Sequence, residues 1–270
     1  MNFKNINFNI TMKIAILIFG QFRSYKKNLR ENLKNIKFIT DNNEIDIFIL
    51  TDKKGNYSEN NENEIKDILK DFDIKFIKYW EDLVEFHNDE IENKKRYDNS
   101  CKHKKGKHPF TSNLWFRRYI LNKLKNNYCK ENNISHDLIL FARLFDTSIK
   151  LIKEDKNILK PSDKLYMATD TFFLCNPKIY DNLMKFGKSF PIKHDEIWKD
   201  KNFVDENKKF DKVLTRVKHT YCSETQIFAY LFYNKFNYVN IRFDYNNRNS
   251  KDNKKTIFKI LHCKDRHKIK

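Results

Sequence analysis

The sequence predicts a single α/β domain built on a mostly parallel sheet with helices on its faces. Two apolar, β-branched runs support this fold class, one over Lys13–Phe19 and one over residues 46–50. A segment with helical spacing of apolar residues separates them, and strand, helix and strand in this order are typical of a right-handed parallel crossover. At 270 residues and 40% hydrophobic content, the chain can bury one large core.

The crossover helix is indicated by apolar residues that recur on one face of the segment 25–36. Ser24 stands just before it, where an N-cap residue is expected. The residues before Met12 are polar and show no pattern. We therefore predict a disordered extension over residues 1–11 and a single domain over residues 12–270.

The rest of the chain alternates between apolar runs and helical patterns, as an α/β domain requires. Asn176 and Pro177 provide an N-cap and a first-turn proline for one helix, and Gly187 is expected at its end. Residues 94–108 are basic and include Gly106, which favours a loop able to close over a ligand. We predict a polar loop over 51–63, helices over 65–72, 82–91, 112–128, 177–186 and 223–233, and strands over 74–80, 138–142, 165–174 with a break at Thr169 and Asp170, 238–243 and 256–262.

Charge and composition narrow the classes of function. The formal net charge is +18, which is compatible with nucleic-acid binding through phosphate contacts. Lysine, however, greatly outnumbers arginine, and Asn, Ile, Tyr and Phe are abundant, which is the mixture that A/T-rich codons supply. We interpret the charge as a solvated surface that can attract anionic substrates, and we keep nucleic-acid binding as the less favoured alternative.

Several function classes are disfavoured by the absence of their motifs. Neither a Gly-x-x-x-x-Gly-Lys phosphate loop nor a Gly-x-Gly-x-x-Gly fingerprint occurs, which argues against a nucleoside triphosphatase and a nicotinamide-dependent dehydrogenase. Five cysteines are scattered singly without a secretory signal, which favours a reducing compartment. The apolar run Lys13–Phe19 is far shorter than the ~20 residues that span a bilayer. We expect a cytoplasmic protein without a transmembrane segment.

Ligands of open α/β sheets bind beyond the carboxyl ends of the strands, so the polar residues there are the first candidates. Gly20 ends the first strand and allows a close approach of the backbone, while Arg23 and the following helix N-terminus offer donors to a phosphate. Gln21 and Ser24 belong to the same turn, and Asp52 follows the second strand. The turn is predicted to hold a phosphorylated ligand, with a purely structural turn as the alternative.

Carboxylates follow two further apolar segments. Asp146 follows the strand 138–142, where a carboxylate is costly to bury unless it pairs with Arg143 or binds a cation; a loop aspartate bonded to nearby backbone is the alternative. For Asp170 the same desolvation argument suggests contact with a hydroxyl or metal, or proton transfer. Glu224 lies in the first turn of a helix, where the dipole alone can explain it. His262 is the last residue of a late predicted strand. It is either a distant metal ligand or a structural residue.

Four short motifs stand in order along residues 12–233 of the chain. They are Ile-Leu-Ile-Phe-Gly-Gln-Phe-Arg-Ser-Tyr at 16–25, Asp-Ile-Phe-Ile-Leu-Thr at 46–51, Leu-Ile-Leu-Phe-Ala-Arg-Leu-Phe-Asp at 138–146 and Ala-Thr-Asp-Thr-Phe-Phe at 168–173. This order resembles small GT-A-like glycosyltransferases, in particular bacterial transferases of surface-polysaccharide and lipopolysaccharide synthesis and uncharacterised relatives in large DNA viruses.

The resemblance implies a GT-A-like, Rossmann-like domain that transfers a sugar from a nucleoside-diphosphate sugar to an acceptor hydroxyl of a glycan or polysaccharide. The Gly20 turn would lie near the nucleotide, and Arg143 and Asp146 would replace the family's acidic motif with one extra residue between them. Asp146 would bind Mn²⁺ or Mg²⁺, while Asp170 and Glu224 would contact the sugar or act as base. The location would be the host cytoplasm if the chain is viral. The alternatives are a catalytically degenerate protein that binds a nucleotide sugar or a glycan, and a basic nucleic-acid-binding module.

Overall fold

The structure is a computed structural model that describes residues 11–20, 25–55, 58–59, 62–100, 110–145, 147–160, 162–168, 171–189, 227, 230–231, 233–241 and 258–262. Six of the predicted site residues lie outside these ranges, as do residues 1–10 of the predicted extension. These six are Gln21, Arg23, Ser24, Asp146, Asp170 and Glu224.

The described residues form strands and helices that alternate along the chain. The helices are α1 (Tyr25–Asn35), α2 (Lys37–Thr40), α3 (Glu62–Ile68), α4 (His87–Ser100), α5 (Phe110–Glu131) and α6 (Pro177–Ser189). The strands are β1 (Lys13–Phe19), β2 (Glu44–Thr51), β3 (Lys54–Gly55), β4 (Ser58–Glu59), β5 (Asp73–Tyr79), β6 (Leu138–Ala142), β7 (Thr147–Leu151), β8 (Leu165–Ala168), β9 (Phe172–Cys175), β10 (Tyr238–Asn240) and β11 (Phe258–His262). Short 3₁₀ turns occupy Trp80–Asp82, Val84–Phe86 and Lys156–Leu159.

Seven strands form one mixed sheet in the order β10-β8-β9-β6-β1-β2-β5. β1 runs parallel to β2 and β6, β2 runs parallel to β5, and β10 runs parallel to β8. β9 is antiparallel to both of its neighbours, β6 and β8. Two further pairs lie apart from this sheet, β7 with β11 and β3 with β4, both antiparallel. The protein is therefore an α/β structure with a mostly parallel sheet, which is compatible with the predicted Rossmann-like class.

Helices cover both faces of the sheet, and the central strand β1 supplies side chains to both layers. Its residues Ile14, Ile16 and Ile18 belong to a core that contains buried residues of α1, α2 and α3. The alternate residues Leu17 and Phe19 belong to a second core with α5 and α6. All of these β1 side chains are buried, as expected of a strand that is covered on both faces. The continuous apolar run of β1 follows from this double burial.

Most predicted elements are confirmed, and the errors lie in polar segments. The loop predicted over residues 94–108 is wrong for residues 94–100, which belong to α4; residues 101–109 lie outside the described ranges. The helix predicted over 65–72 begins and ends earlier, as α3, and β10 is shorter than the predicted strand over 238–243. The sequence did not predict β7 or the β3–β4 hairpin. Charged helices and short polar strands lack the apolar periodicity on which such predictions rest.

The start of α6 is confirmed, but its predicted end is wrong. The Asn176 side chain accepts a hydrogen bond from the Ile179 N–H at 2.9 Å, as an N-cap residue does. The helix then continues through Gly187 to Ser189. A Cβ at Gly187 would clash with the Trp115 carbonyl oxygen. This glycine therefore permits α6 to approach the backbone of α5 and does not end the helix.

One residue of β5 interrupts the regular pairing of β5 with β2. Ile47 pairs with Ile74 and Phe48 pairs with Phe76, so Lys75 forms a bulge between them. Its ammonium group lies 3.3 Å from the carboxylate of Asp46, and only 13% of the side chain is exposed. The bulge therefore directs a lysine side chain inward at the last strand of the sheet.

The amino edge of the sheet contains a buried polar network around Asp46. Asp46 Oδ2 lies 2.9 Å from His136 Nε2 and 3.7 Å from Lys13 Nζ. The other carboxylate oxygen, Oδ1, lies 3.3 Å from Lys75 Nζ. The other ring nitrogen, Nδ1, lies 3.7 Å from the Cys129 sulfur. Burial lowers the pKa of His136 and outweighs the attraction of Asp46. We therefore assign a neutral ring that donates from Nε2 to Asp46 and accepts at Nδ1 from the Cys129 thiol.

We predict that Gly187→Ala destabilises the protein, although alanine is the better helix former. The new methyl group would meet the Trp115 carbonyl and the Tyr119 Cβ, the latter at 3.1 Å, so the two helices must separate. We expect a loss of about 2–3 kcal/mol in the free energy of unfolding, measured with urea. Lys188→Ala, at an exposed position of the same helix, is the control and should change stability by less than ~0.5 kcal/mol. Equal stability of both variants would contradict the close approach of α5 and α6.

We predict that His136 makes the protein less stable in mild acid. The folded-state pKa lies below the unfolded value of 6.5, so below about pH 6.5 the unfolded chain binds a proton that the folded protein does not accept. The contribution of His136 to the unfolding free energy should therefore be constant above this pH and should fall as the pH decreases. Urea unfolding from pH 7.5 to about 5 should show a steeper decline for the wild type than for His136→Asn. Parallel pH profiles for the two proteins would show that folding does not lower the pKa of His136.

Candidate functional site

The strand order of the sheet changes direction next to β1. The chain builds β1, β2 and β5 on one side and then places β6 on the other side of β1. The carboxyl end of such a switch point is the usual ligand site of open α/β sheets. Gly20 directly follows β1 and Arg143 directly follows β6, with Ile18 paired to Ala142 just before them. Two of the predicted site residues thus lie at the switch point between β1 and β6.

Gly20 has a backbone conformation that favours glycine. Its φ angle is 136°, a region that side chains with a Cβ rarely adopt. The Thr51 hydroxyl, at the end of β2, donates a hydrogen bond to the Gly20 carbonyl at 2.9 Å. The chain therefore leaves β1 in a turn that is bonded to the neighbouring strand. The predicted ligand-binding residues Gln21, Arg23 and Ser24 come next in sequence and lie outside the described residues.

Arg143 joins the end of β6 to the connection between β8 and β9. Its backbone N–H donates to the Thr171 carbonyl at 3.0 Å, and the Thr171 hydroxyl donates to the Ala168 carbonyl at 2.8 Å. Residue 171 is the chain neighbour of Asp170, which itself lies outside the described residues. Arg143 and the residue after Asp170 therefore lie next to each other at the carboxyl edge of the sheet.

Three asparagines of α1 hold the segment on both sides of residue 146. Asn28 donates to the Phe145 carbonyl at 3.1 Å, and Asn32 donates to the Leu144 carbonyl at 2.9 Å. The side-chain oxygen of Asn32 also accepts from the Ile149 N–H at 2.7 Å, while Asn35 donates to the Ile149 carbonyl at 2.6 Å. Asn28 and Asn32 are buried. These bonds fix the backbone that precedes and follows Asp146.

Sequence reasoning missed these asparagines although their spacing carries a signal. Asn28, Asn32 and Asn35 recur at intervals of four and three residues, which places them on one face of α1. Leu29 and Ile36 are buried beside them, so this polar row enters the core. A row of amides on a buried helix face must find hydrogen-bond partners and indicates contact with irregular backbone. Because asparagine is abundant throughout this chain, three of them at helical spacing are not a distinctive signal.

β7 and β11 bring a distant part of the chain to the same region. In their antiparallel register His262 pairs with Thr147, the residue that follows Asp146 in sequence. The sequence suggests two roles for His262, a distant metal ligand or a structural residue. The backbone pairing places its position beside the segment that the α1 asparagines hold. The described residues contain no group of three or more His, Cys, Asp or Glu that could hold a metal ion.

Asp52 lies at the carboxyl end of β2 and is bound by a neighbouring arginine. Arg117 Nη1 lies 2.7 Å from Asp52 Oδ1, and Arg117 Nε lies 2.6 Å from Glu90 Oε1. The guanidinium carbon lies 4.5 Å from the ring centre of Trp80, which follows β5. One oxygen of the predicted ligand residue Asp52 thus already has a protein partner. This cluster fixes the loop after β2 to α4, α5 and the end of β5.

A second arginine of α5 lies beneath the ends of β1 and β6. Arg118 is fully buried, with its guanidinium carbon 4.8 Å from the ring centre of Phe141 and 6.0 Å from that of Phe19. Phe19 immediately precedes Gly20, and Phe141 lies two residues before Arg143. Because arginine stays charged at any physiological pH, this side chain places a positive charge below the two turns.

No protein-family model and no curated protein matches the chain. Among the described residues, no helix combines the length and the apolar character needed to cross a bilayer. Function is therefore inferred from the residues at the switch point between β1 and β6 and from the motifs in the sequence.

We predict that Asn32→Leu strongly destabilises the protein although leucine is similar in size. The substitution removes the partners of the Leu144 carbonyl and the Ile149 N–H, and both residues are buried. We expect a loss of about 2–4 kcal/mol in unfolding free energy, since each unpaired buried group costs ~1–3 kcal/mol. Asn132→Leu is the matched control, because its amide makes one exposed bond to the Tyr128 carbonyl. If both variants unfold at the same urea concentration as the wild type, the asparagine row does not hold the segment.

Proposed function

We propose that the protein is a glycosyltransferase that moves a sugar from a nucleoside-diphosphate sugar to an acceptor hydroxyl of a glycan or polysaccharide, with a GT-A-like domain. The observation that carries the proposal is the switch point between β1 and β6. Gly20 and Arg143 lie at its carboxyl end, and the asparagines of α1 hold the backbone on both sides of Asp146. Gly20, Arg143 and Asp146 occur in the motifs that resemble this class of enzyme.

The nucleotide end of the donor belongs at the turn after β1. Gly20 allows the backbone to approach a ligand, and α1 begins at Tyr25, a few residues further on. A helix N-terminus attracts phosphate through its unpaired N–H groups and its dipole. Gln21, Arg23 and Ser24 would supply further donors to the nucleotide. Arg118 lies below the turn, with its guanidinium carbon 6.0 Å from the ring centre of Phe19.

The diphosphate belongs at the end of β6. Arg143 would bind its oxygens, and Asp146 would hold Mn²⁺ or Mg²⁺, for which a carboxylate oxygen is a suitable ligand. The ion, when bound, neutralises the charge that develops on the leaving diphosphate. His262 is a further candidate for this site, since its backbone pairs with Thr147. Rigid support of the flanking residues is what such a site requires.

The acceptor belongs near the turn between β8 and β9. In the proposed reaction, the acceptor oxygen forms a bond to the anomeric carbon while the bond from that carbon to the diphosphate breaks. Asp170 or Glu224 would take the proton from the acceptor hydroxyl or bind the sugar hydroxyls. The bond between Arg143 and Thr171 supports this arrangement, because it ties the strand before the proposed cation site to the residue after Asp170.

We predict that the purified protein is stabilised by one or more nucleoside-diphosphate sugars together with Mn²⁺ and releases the nucleoside diphosphate when an acceptor is present. A thermal-shift screen of donors with and without Mn²⁺ identifies the ligand, because a ligand of the native state raises Tm by mass action. Asp146→Asn should lower the rate of release at least ~100-fold, since it removes a charge that acts on the leaving group. Its unfolding temperature without ligand should remain close to that of the wild type.

Asp71→Asn serves as the control, because it removes the same charge from an exposed residue between α3 and β5. It should leave both Tm and the release rate unchanged. Two results would reject the proposal: no stabilisation and no release with any donor in a broad panel, or full activity of Asp146→Asn. Binding of a donor without turnover by the wild type would instead support a catalytically degenerate protein.

A further inference from the structure

A cavity of about 460 Å³ lies at the amino edge of the sheet, opposite the carboxyl ends of β1 and β6. It lies between α6 and the helical residues around Tyr230, and residues that directly precede β8 and β10 form its border. This volume lies within the range of roughly 300–1,000 Å³ that small-molecule sites occupy. The proposed transferase reaction makes no use of it.

Three asparagine amides line the cavity, and each is oriented by a bond to the protein. Asn237 Nδ2 donates to Asp163 at 3.2 Å, and Asn234 Nδ2 donates to the Tyr230 carbonyl at 2.9 Å. Asn182 Oδ1 accepts from Lys185 Nζ at 2.8 Å. An amide has both donors and acceptors, so one end can be fixed while the other faces a ligand. Such oriented amides suit a ligand that carries several hydroxyl groups.

Aromatic and basic residues complete the wall. The Phe236 ring lies 5.9 Å from that of Tyr230 and is partly exposed, which offers an apolar surface at the cavity. Lys185 and Lys235 are exposed, and their ammonium groups can donate hydrogen bonds to a hydroxyl or to an acidic group. Sugars combine apolar C–H faces with hydroxyl rims. The wall therefore matches the chemistry of a saccharide better than that of a wholly apolar ligand.

Lys235 has a backbone conformation that is unfavourable for lysine. Its φ is 52°, and it lies at the C-terminal cap of the helical turn, where the Phe236 N–H donates to the Leu231 carbonyl at 2.9 Å. This position normally holds glycine or asparagine. Among the described residues the other non-glycine residues with positive φ are Asn42 and Asn133, both of the type that tolerates it. A strained residue that lines a cavity indicates a use for its side chain.

We propose that this cavity binds a saccharide, neutral or carrying one acidic group, at a place separate from the proposed transferase site. The amides of Asn182, Asn234 and Asn237 contact its hydroxyls, Phe236 contacts its C–H face, and Lys235 donates to a hydroxyl or carboxylate. The site binds sugar without chemistry. It does not depend on the proposed transferase function, because binding at the amino edge can be measured without a donor and without turnover.

The test is a titration of the full chain, followed by NMR, with three disaccharides and with inorganic phosphate at up to about 10 mM, where weak millimolar complexes are populated. The disaccharides are chitobiose, lactose and a uronic-acid disaccharide. We expect at least one disaccharide to shift the amide signals of Asn234, Lys235 and Asn237. Lys235→Gly should weaken this binding about three- to tenfold, the effect of one lost hydrogen bond. It should also raise Tm by about 2–4 °C, because glycine adopts the positive φ without strain.

Lys235→Gly is thus expected to raise Tm while it weakens sugar binding, and Asn133→Gly is the matched control. Asn133 has a φ of 53° at the equivalent cap of α5, where the Ile134 N–H donates to the Cys129 carbonyl at 2.8 Å, and it does not line the cavity. This variant should leave sugar binding unchanged. The proposal is overturned if no disaccharide shifts these signals, if only phosphate does, or if Lys235→Gly binds the disaccharide as tightly as the wild type.

Discussion

The buried amide of Asn32 is the interaction on which the architecture of the carboxyl edge depends. It donates to Leu144 and accepts from Ile149, so a single side chain satisfies backbone groups on both sides of residue 146. Irregular backbone is rarely buried, because its polar groups must find partners. Here α1 supplies these partners from its buried face, assisted by Asn28 and Asn35. The helix that follows the Gly20 turn and the segment around residue 146 are thereby coupled into one unit.

The two edges of the sheet use charge in different ways. At the amino edge Asp46 is buried among Lys13, Lys75 and His136, so its charge is compensated within the protein. Buried charges that are paired in this manner leave little attraction for an external ion. Below the carboxyl edge Arg118 contributes a positive charge next to the aromatic rings that precede the two turns. The position of the switch point is the reason why we assign the proposed anionic donor to the carboxyl edge.

The sequence was sufficient to predict a mostly parallel sheet, but not the hydrogen bonds and ion pairs that hold the loops at its carboxyl edge. β1, β2 and β6 are continuous apolar runs, and burial on both faces leaves few alternatives for such segments. α4 was missed in part because its residues are charged on most faces, and Gly187 was assigned to a helix end because its close contact with Trp115 is tertiary. The positions of Gly20 and Arg143 at one edge follow from the order of apolar strands. The hydrogen bonds of Asn32 and the pairing of Arg117 with Asp52 join residues far apart in sequence, and no local pattern specifies such partners.

The bulge at Lys75 has a consequence for assembly of the protein with other copies of itself. An outermost strand offers unpaired N–H and C=O groups to any extended chain, and this is a common origin of aggregation. On β5 the bulge breaks the regular hydrogen-bonding pattern, and the inward lysine would lose its contact with Asp46 if the strand were straightened to accept a new neighbour. Among the described residues the sheet ends at β5, and growth from this strand would separate the ion pair of Lys75 with Asp46, which disfavours polymerisation of a lysine-rich chain through this side.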